Sequence, residues 1–401
     1  MPVAMYVPGR SLCEAPPALA GHDPFDPAWT RAMVDRALGP MLDSWFRVRF
    51  VGAERIPARG PVILTANHSG DAFPYDAIAF DAALWQRDGL RDAAKLRTVY
   101  EPELSLTWWM RPFGIDDFYR RAGGVDMTFD NFDRLLARGD RVLYFPEGVP
   151  GIGKGFNRRY ELQRFHTSFV RLAARHGAPV VPVHVVNGEW IHPFGYTLPG
   201  LDRAMQVGFG VPFLPLPIGL LAMLFPWMWY LAFPARLTFV VGEWIDVRRA
   251  LRAAGAVDPT NPDDASVRRA TEAIRETMQR ELAAAVARFG REPWDLKGLV
   301  GALRARRRDR WRAIPTGWPL SFIRNERDGQ RLPARNRLHA LLRDLDLAAF
   351  YLPLGWPLIT LCRLLRKPPY GYRGVARATR ARQQGRFIWR LAQRPLPPRE
   401  G

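Results

Sequence analysis

The chain reads as an α/β layer fold around a largely buried sheet, and three observations predict it. Short runs rich in Val, Ile and Phe recur between residues 45 and 241, Gly and Pro bound them, and helix-like stretches fall between them. The runs cover 45–51, 61–66, 141–145, 180–186 and 237–241. Helical patterns are expected at 130–138 and 161–176. Beyond the last run, Val267, Ile274, Met278, Leu282 and Val286 mark one face of a helix over 263–289, with Asp263, Asp264 and Ser266 as start signals.

The 401 residues, 48% of them apolar, suffice for one large domain with an appendage or for two ordinary domains, and argue against wholesale disorder. The formal net charge is +19, yet residues 291–401 hold 25 Lys/Arg against 8 Asp/Glu, a net of +17 that leaves residues 1–290 at +2. Such a tail suits anionic lipid headgroups, nucleic acid or an acidic protein. Cys13 and Cys362 lie far apart in no metal-binding pattern, which argues against a disulfide framework or a zinc site and fits a reducing compartment. The opening MPVAMYVPGRSLCEAPP lacks the basic and apolar regions of a secretory signal. Residues 1–29 read as a loosely structured lead-in, 30–292 as the main domain and 293–401 as an Arg-rich C-terminal extension.

Residues 204–235 carry no charged side chain, and 216–233 are almost wholly apolar. Their length meets the requirement of a transmembrane helix. However, Pro212, Pro215, Pro217, Pro226 and Pro234 punctuate the stretch, and Trp227, Trp229 and Tyr230 cluster toward one end. Each proline removes a backbone donor, so a loop or broken helix in the bilayer interface is favoured over a spanning helix or a buried core segment.

Three segments carry groups capable of chemistry. In ILTANHSGDAFPYDAIAF, Asn67-His68 follows a strand and Asp76 opens an apolar helical run. A histidine at a strand end with a carboxylate in reach suits general-base catalysis: one ring nitrogen takes a proton while the carboxylate holds the other and fixes the tautomer. A loop histidine beside an N-cap aspartate has the same sequence, and the pair alone does not separate the two readings. In RVLYFPEGVPGIGKGFNRRY, a strand runs into Pro146-Glu147-Gly148 and a glycine-rich loop whose backbone donors, with Lys154, Arg158 and Arg159, suit a phosphate. The spacing is not that of a P-loop, and an ordinary strand-to-helix connection reads alike. In GIDDFYRRAGGVDMTFD, Arg120 and Arg121 precede Gly123-Gly124, either as a clamp for phosphate or as a solvated charge pair.

Together and in this order the segments resemble the glycerolipid acyltransferase family, which includes the 1-acylglycerol-3-phosphate acyltransferases. The matching blocks are the strand leading to Asn67-His68, Arg120-Arg121 about fifty residues on, Phe145-Pro146-Glu147-Gly148, and Ala178-Pro179-Val180-Val181-Pro182-Val183, within residues 40–250. The resemblance implies a mixed sheet flanked by helices, of glycerol-3-phosphate acyltransferase type, to which the charge count adds a helical basic C-terminal extension. It implies that His68 is the general base, held by an aspartate, and that Arg120, Arg121, Glu147 and Gly148 bind the acceptor, with Lys154 of the adjoining loop. It implies no metal and no cofactor, with acyl-CoA or acyl carrier protein bringing the acyl group as co-substrate. Two departures resemble a divergent bacterial branch of the family. The usual His-x4-Asp spacing would put the aspartate where Phe73 stands, leaving Asp71 or Asp76, of which Asp76 is preferred because it precedes the apolar helix. The usual Thr-Arg-Ser after Glu-Gly is replaced by Val149-Pro150-Gly151.

The expected activity is transfer of a fatty acyl group to the hydroxyl of a lysophospholipid or related glycerolipid. It is expected at the cytoplasmic face of the cell membrane, with peripheral or monotopic attachment. Acylation of a neutral acceptor (diacylglycerol, sterol, long-chain alcohol or glycolipid) is the alternative among enzymes, and a catalytically silent membrane-binding scaffold is the alternative outside them. The arginine-dense stretches 300–312 and 363–394 flank the apolar 345–365, a pairing that suits an anionic membrane surface. Nucleic acid is the disfavoured partner, because no recognition motif accompanies the arginines.

Overall fold

Seven strands form one sheet in the order β1-β7-β6-β2-β5-β3-β4. They are β1 Arg49–Val51, β2 Val62–Ala66, β3 Arg97–Tyr100, β4 Val125–Asp126, β5 Arg141–Tyr144, β6 Val180–Val186 and β7 Thr238–Val241. The computed structural model describes residues 25–70, 73–92, 95–101, 115–209, 214–307, 310–318 and 349–358, with 338 and 361. All strand pairs are parallel except β6 with β7, so the sheet is mixed, as the sequence predicts.

Strands β2, β5 and β6 are buried at every position, which is why they read as unbroken rather than alternating apolar runs. Successive side chains still point to opposite faces. Val62, Leu64 and Ala66 join a core shared with helix Tyr75–Arg87 and the first helical segments. Ile63 joins a second core with helices Phe129–Ala137, Ser168–His176, Val247–Ala253 and Asp264–Phe289. Helices therefore cover both faces of the sheet.

The long helix begins as expected, with Asp263 accepting from Ser266 N. Several boundaries differ from expectation. Residues 161–167 are not helical, because their backbone donors go elsewhere: Leu162 N to Gln279 Oε1, Gln163 N to Glu147 Oε2, and His166 N to Pro146 O. Only 49–51 of the first run is strand, since Met41–Trp45 forms a π-helical turn. Residues 25–29, read as the end of a loose lead-in, pack on the domain: Phe25 meets Trp85 edge-on, and Asp26 caps helix Pro27–Met33. β3 and β4 escaped the sequence reading because they are short and half polar.

The uncharged stretch is a broken helix. Helix Pro199–Phe209 is followed by helix Ile218–Leu224 and the 3-10 turn Pro226–Tyr230, with Pro217 and Pro226 at the starts of the last two. No helix among the described residues is long and apolar enough to cross a membrane, so the spanning reading does not hold for them. The C-terminal extension begins with helix Leu296–Ala305 and the turns Arg310–Ala313 and Pro315–Gly317. Asp71, Cys13, Cys362, residues 1–24 and the arginine-dense 363–394 lie outside the described residues, as do 345–348, 359–360 and 362–365 of the apolar stretch.

Candidate active site

β2 lies between β5 and β6, and all three run parallel, so their carboxyl ends open on one edge of the sheet. In open α/β sheets ligands bind at that edge, where the chain crosses from one side of a strand to the other. Three loops converge there: 67–70 after β2, 145–148 after β5 and 187–189 after β6.

Asn67 is fully buried and extends the ladder with its side chain, accepting from Val185 N at 2.7 Å and donating to Val185 O at 3.3 Å. This fixes the turn so that His68 projects over the sheet edge, its ring stacked on Phe145 at 4.3 Å. His68 Nδ1 lies 2.8 Å from Asp76 Oδ2, an oxygen that also accepts from Ser69 N at 2.7 Å. Asp76 is fully buried in the first turn of helix Tyr75–Arg87, where the unpaired N–H groups of the helix favour a carboxylate. Seven residues intervene between His68 and Asp76, and among them Phe73 is buried against Tyr75 and Tyr230. In the tautomer that donates Nδ1–H to Asp76, Nε2 carries the lone pair, and it has no hydrogen-bond partner among the described residues. The chemistry open to this arrangement is proton abstraction at Nε2.

Glu147 and Lys154 also meet at His68, but as supports. Glu147 Oε1 accepts from His68 N at 2.9 Å and Oε2 from Gln163 N at 2.6 Å. Burial raises its carboxyl above the ordinary range, opposed by the Lys154 ammonium and the two backbone donors. Lys154 is turned inward, with Nζ 3.2 Å from His68 O and 3.3 Å from Glu189 Oε1, both side chains almost fully buried. Glu189 was missed by the sequence reading. Its signal is a lone acidic residue three positions after the buried run 180–186. Gly151 is required by close approach, since a Cβ there would stand 2.7 Å from Glu147 Cβ and 2.9 Å from His68 Cβ. Gly148 lies beside them at φ 58°, a conformation glycine adopts at little cost.

Arg120 and Arg121 are placed differently. Arg120 grips Asp126 with N–O distances of 3.0 and 3.1 Å. Arg121 pairs with Asp26 at 3.0 Å and lies over the Trp29 ring at 4.2 Å. Neither is among the described residues lining the cavity that opens at His68. That cavity holds about 1080 Å³ of empty space, its mouth included. Its walls are mainly apolar: Phe145, Val149 and Ile152 near His68, then Ile78, Trp85 and Phe118, with the Asp81–Lys95 pair along one side. Among the described residues no cluster of three or more His, Cys, Asp or Glu is arranged to hold a metal.

The sequence profile of the family described as Acyltransferase matches residues 47–186, which hold β1 to β6, His68, Asp76 and Glu147. Uncharacterized proteins of Mycobacterium tuberculosis and Mycobacterium bovis are 33% identical over 261 residues, covering 64% of this chain and 67% of theirs. A Mycobacterium leprae relative is 32% identical, with 64% and 65% covered. Among solved structures, the 1-acyl-sn-glycerophosphate acyltransferase from Thermotoga maritima is similar at 16% identity and a TM-score of 0.37, over 64% of this chain and 80% of that one. The family match falls on the strands and loops that build the site, and the Mycobacterium tuberculosis and Mycobacterium bovis relatives align with this chain over 67% of their own length: the chain belongs to the acyltransferase family.

Proposed function

We propose that the chain moves a fatty acyl group from a thioester, on CoA or on acyl carrier protein, to the hydroxyl of a lysophospholipid or related glycerolipid. The observation that carries this reading is His68, with Nδ1 held by buried Asp76 at 2.8 Å and Nε2, without a partner among the described residues, beside a largely apolar cavity. Nε2 takes the proton of the acceptor hydroxyl as its oxygen attacks the thioester carbonyl. The tetrahedral intermediate then expels the thiolate, which is protonated in turn, leaving an ester and a free thiol. Asp76 stabilises the imidazolium formed in between. The thioester is already activated, so positioning and proton transfer account for the catalysis. The cavity suits an acyl chain by its apolar walls.

A neutral acceptor is the second reading. It is favoured by one observation: Arg120, Arg121 and Lys154, the cations expected to hold a phosphate, engage Asp126, Asp26 and Glu189. Purified full-length protein, given acyl-CoA or acyl carrier protein thioester with a mixed lipid extract, tests both readings through thiol release and mass spectrometry of the product. A phosphate-bearing product supports the first reading and a neutral one the second. Thioester consumption that His68→Ala leaves unchanged would overturn the mechanism, and no consumption at all would favour a silent scaffold.

A further inference from the structure

Helix Ile218–Leu224 buries Ile218 and Ala222 and turns Leu220, Leu221, Met223 and Leu224 to solvent, Leu220 at 52% exposure. More than a hundred residues later, 349–358 returns to lie against it. Leu354 N donates to Leu224 O at 2.6 Å, and Trp356 Nε1 donates to Ala222 O at 3.0 Å. This second segment exposes Tyr351, Leu352 and Leu354, the last at 65%. Two stretches far apart in sequence thus make one apolar surface, and scattered exposed leucines would need no such arrangement.

The surface stands on an aromatic base. Phe350 packs on Tyr230, Tyr230 on Trp318 and Phe73, and Tyr75 donates to Tyr230 O at 2.8 Å. Phe73 and Tyr75 stand just before Asp76, which holds the His68 ring, so the patch and the candidate active site share one aromatic cluster. Charge lies beside it as well. Tyr351 Oη donates to Thr316 O at 3.4 Å, and Thr316 follows directly on the turn Arg310–Ala313 and helix Leu296–Ala305. Arg304 and Arg310 on those elements and Arg307 between them are exposed, within a region whose net charge is +17.

We propose that this two-part patch inserts into the headgroup–acyl boundary of an anionic bilayer, with the neighbouring arginines held at the phosphates. A protein partner would match the leucines alone; a bilayer matches leucines, tryptophan and tyrosine at their edge, and arginine beside them. The proposal deepens the acyl-transfer reading, on which it rests only for the purpose of docking: it sets the sheet edge bearing His68 where lipid acceptors enter.

The test uses the full chain in co-sedimentation with vesicles of equal parts phosphatidylglycerol and phosphatidylcholine, in low and high salt. The pairs Leu220→Ser/Met223→Ser and Leu352→Ser/Leu354→Ser leave the charge unchanged. Each should cut the salt-resistant binding about tenfold or more, with unchanged turnover of a soluble short-chain acceptor. Leu220→Phe/Met223→Phe, which enlarges the patch, should bind more tightly, so the idea stays open to test if a serine variant folds poorly. Wild-type binding by both serine pairs, loss with only one of them, or loss of a dimer in place of vesicle binding would each overturn the proposal. Loss of turnover on the soluble acceptor in the wild type would instead count against the catalytic reading.

Discussion

The turn after β2 and the end of helix Ile115–Arg121 both present charged groups, and they hold them in opposite ways. At the turn, His68 is gripped at three points by three different elements: its N by Glu147, its O by Lys154 and its ring by Asp76. Those partners are buried and are themselves paired. At the helix end, Arg120 and Arg121 meet carboxylates that water still reaches. Removing one member of a buried network strands the others without water, whereas a wet ion pair exchanges one partner for solvent. Substitutions should therefore separate the two regions sharply.

The largest effect is expected from Asp76→Asn, which leaves the His68 tautomer unfixed and should lower acyl transfer by about 10²-fold or more. Asp71→Asn should cost little, and steady-state thiol release compares the two. The reverse order would move the partner role to Asp71. Lys154→Met should follow, because it leaves Glu189 buried without the cation it pairs with. A stability loss of about 3–5 kcal/mol is expected in urea unfolding, with much of it restored in the Lys154→Met/Glu189→Gln pair. Failure of the second change to restore anything would show that Lys154 acts through His68 O alone.

His192 offers a gentler probe of the same buried region. It donates from Nε2 to Leu231 O at 2.8 Å, and burial pushes its pKa down to about 4. Between that value and the ordinary pKa of about 6.5 the unfolded chain takes a proton that the folded chain refuses. Stability attributable to this residue is therefore full above pH ~6.5 and falls as pH drops toward ~4, by roughly 3 kcal/mol in all. The difference between wild type and His192→Gln across a pH series isolates it, and parallel curves would remove His192 from the account. Smallest of all should be Arg121→Gln, within about 1 kcal/mol of wild-type stability. A raised KM for a phosphorylated acceptor in that variant would favour the lysophospholipid reading, and an unchanged one the neutral acceptor.

Much of the centre is legible in the sequence. β2, β5 and β6 are buried on both faces, so their apolar runs stand out, and the motifs at their ends inherit that clarity. Asp76 was preferred over Asp71 because it opens an apolar helix, and that helix is where it stands. The failures share a cause. Residues 161–167 have a helical pattern, but their N–H groups bond to Glu147, Gln279 and Pro146, partners that local periodicity does not reveal.

Strand identity, motif order and the helix starts follow from local physics: short-range periodicity, capping groups and the limits of proline are written in neighbouring residues. The rest depended on which strand lies beside which. Placing β2 between β5 and β6 puts Glu147 and Glu189 on either side of His68, and it turns Lys154 from a surface cation into a buried one. The partners of Arg120 and Arg121, and the joining of 218–224 to 349–358, were likewise decided by the folded chain. A long charged or apolar side chain satisfies itself with whatever the packing brings within reach, and over such separations in sequence only the packing selects the neighbour.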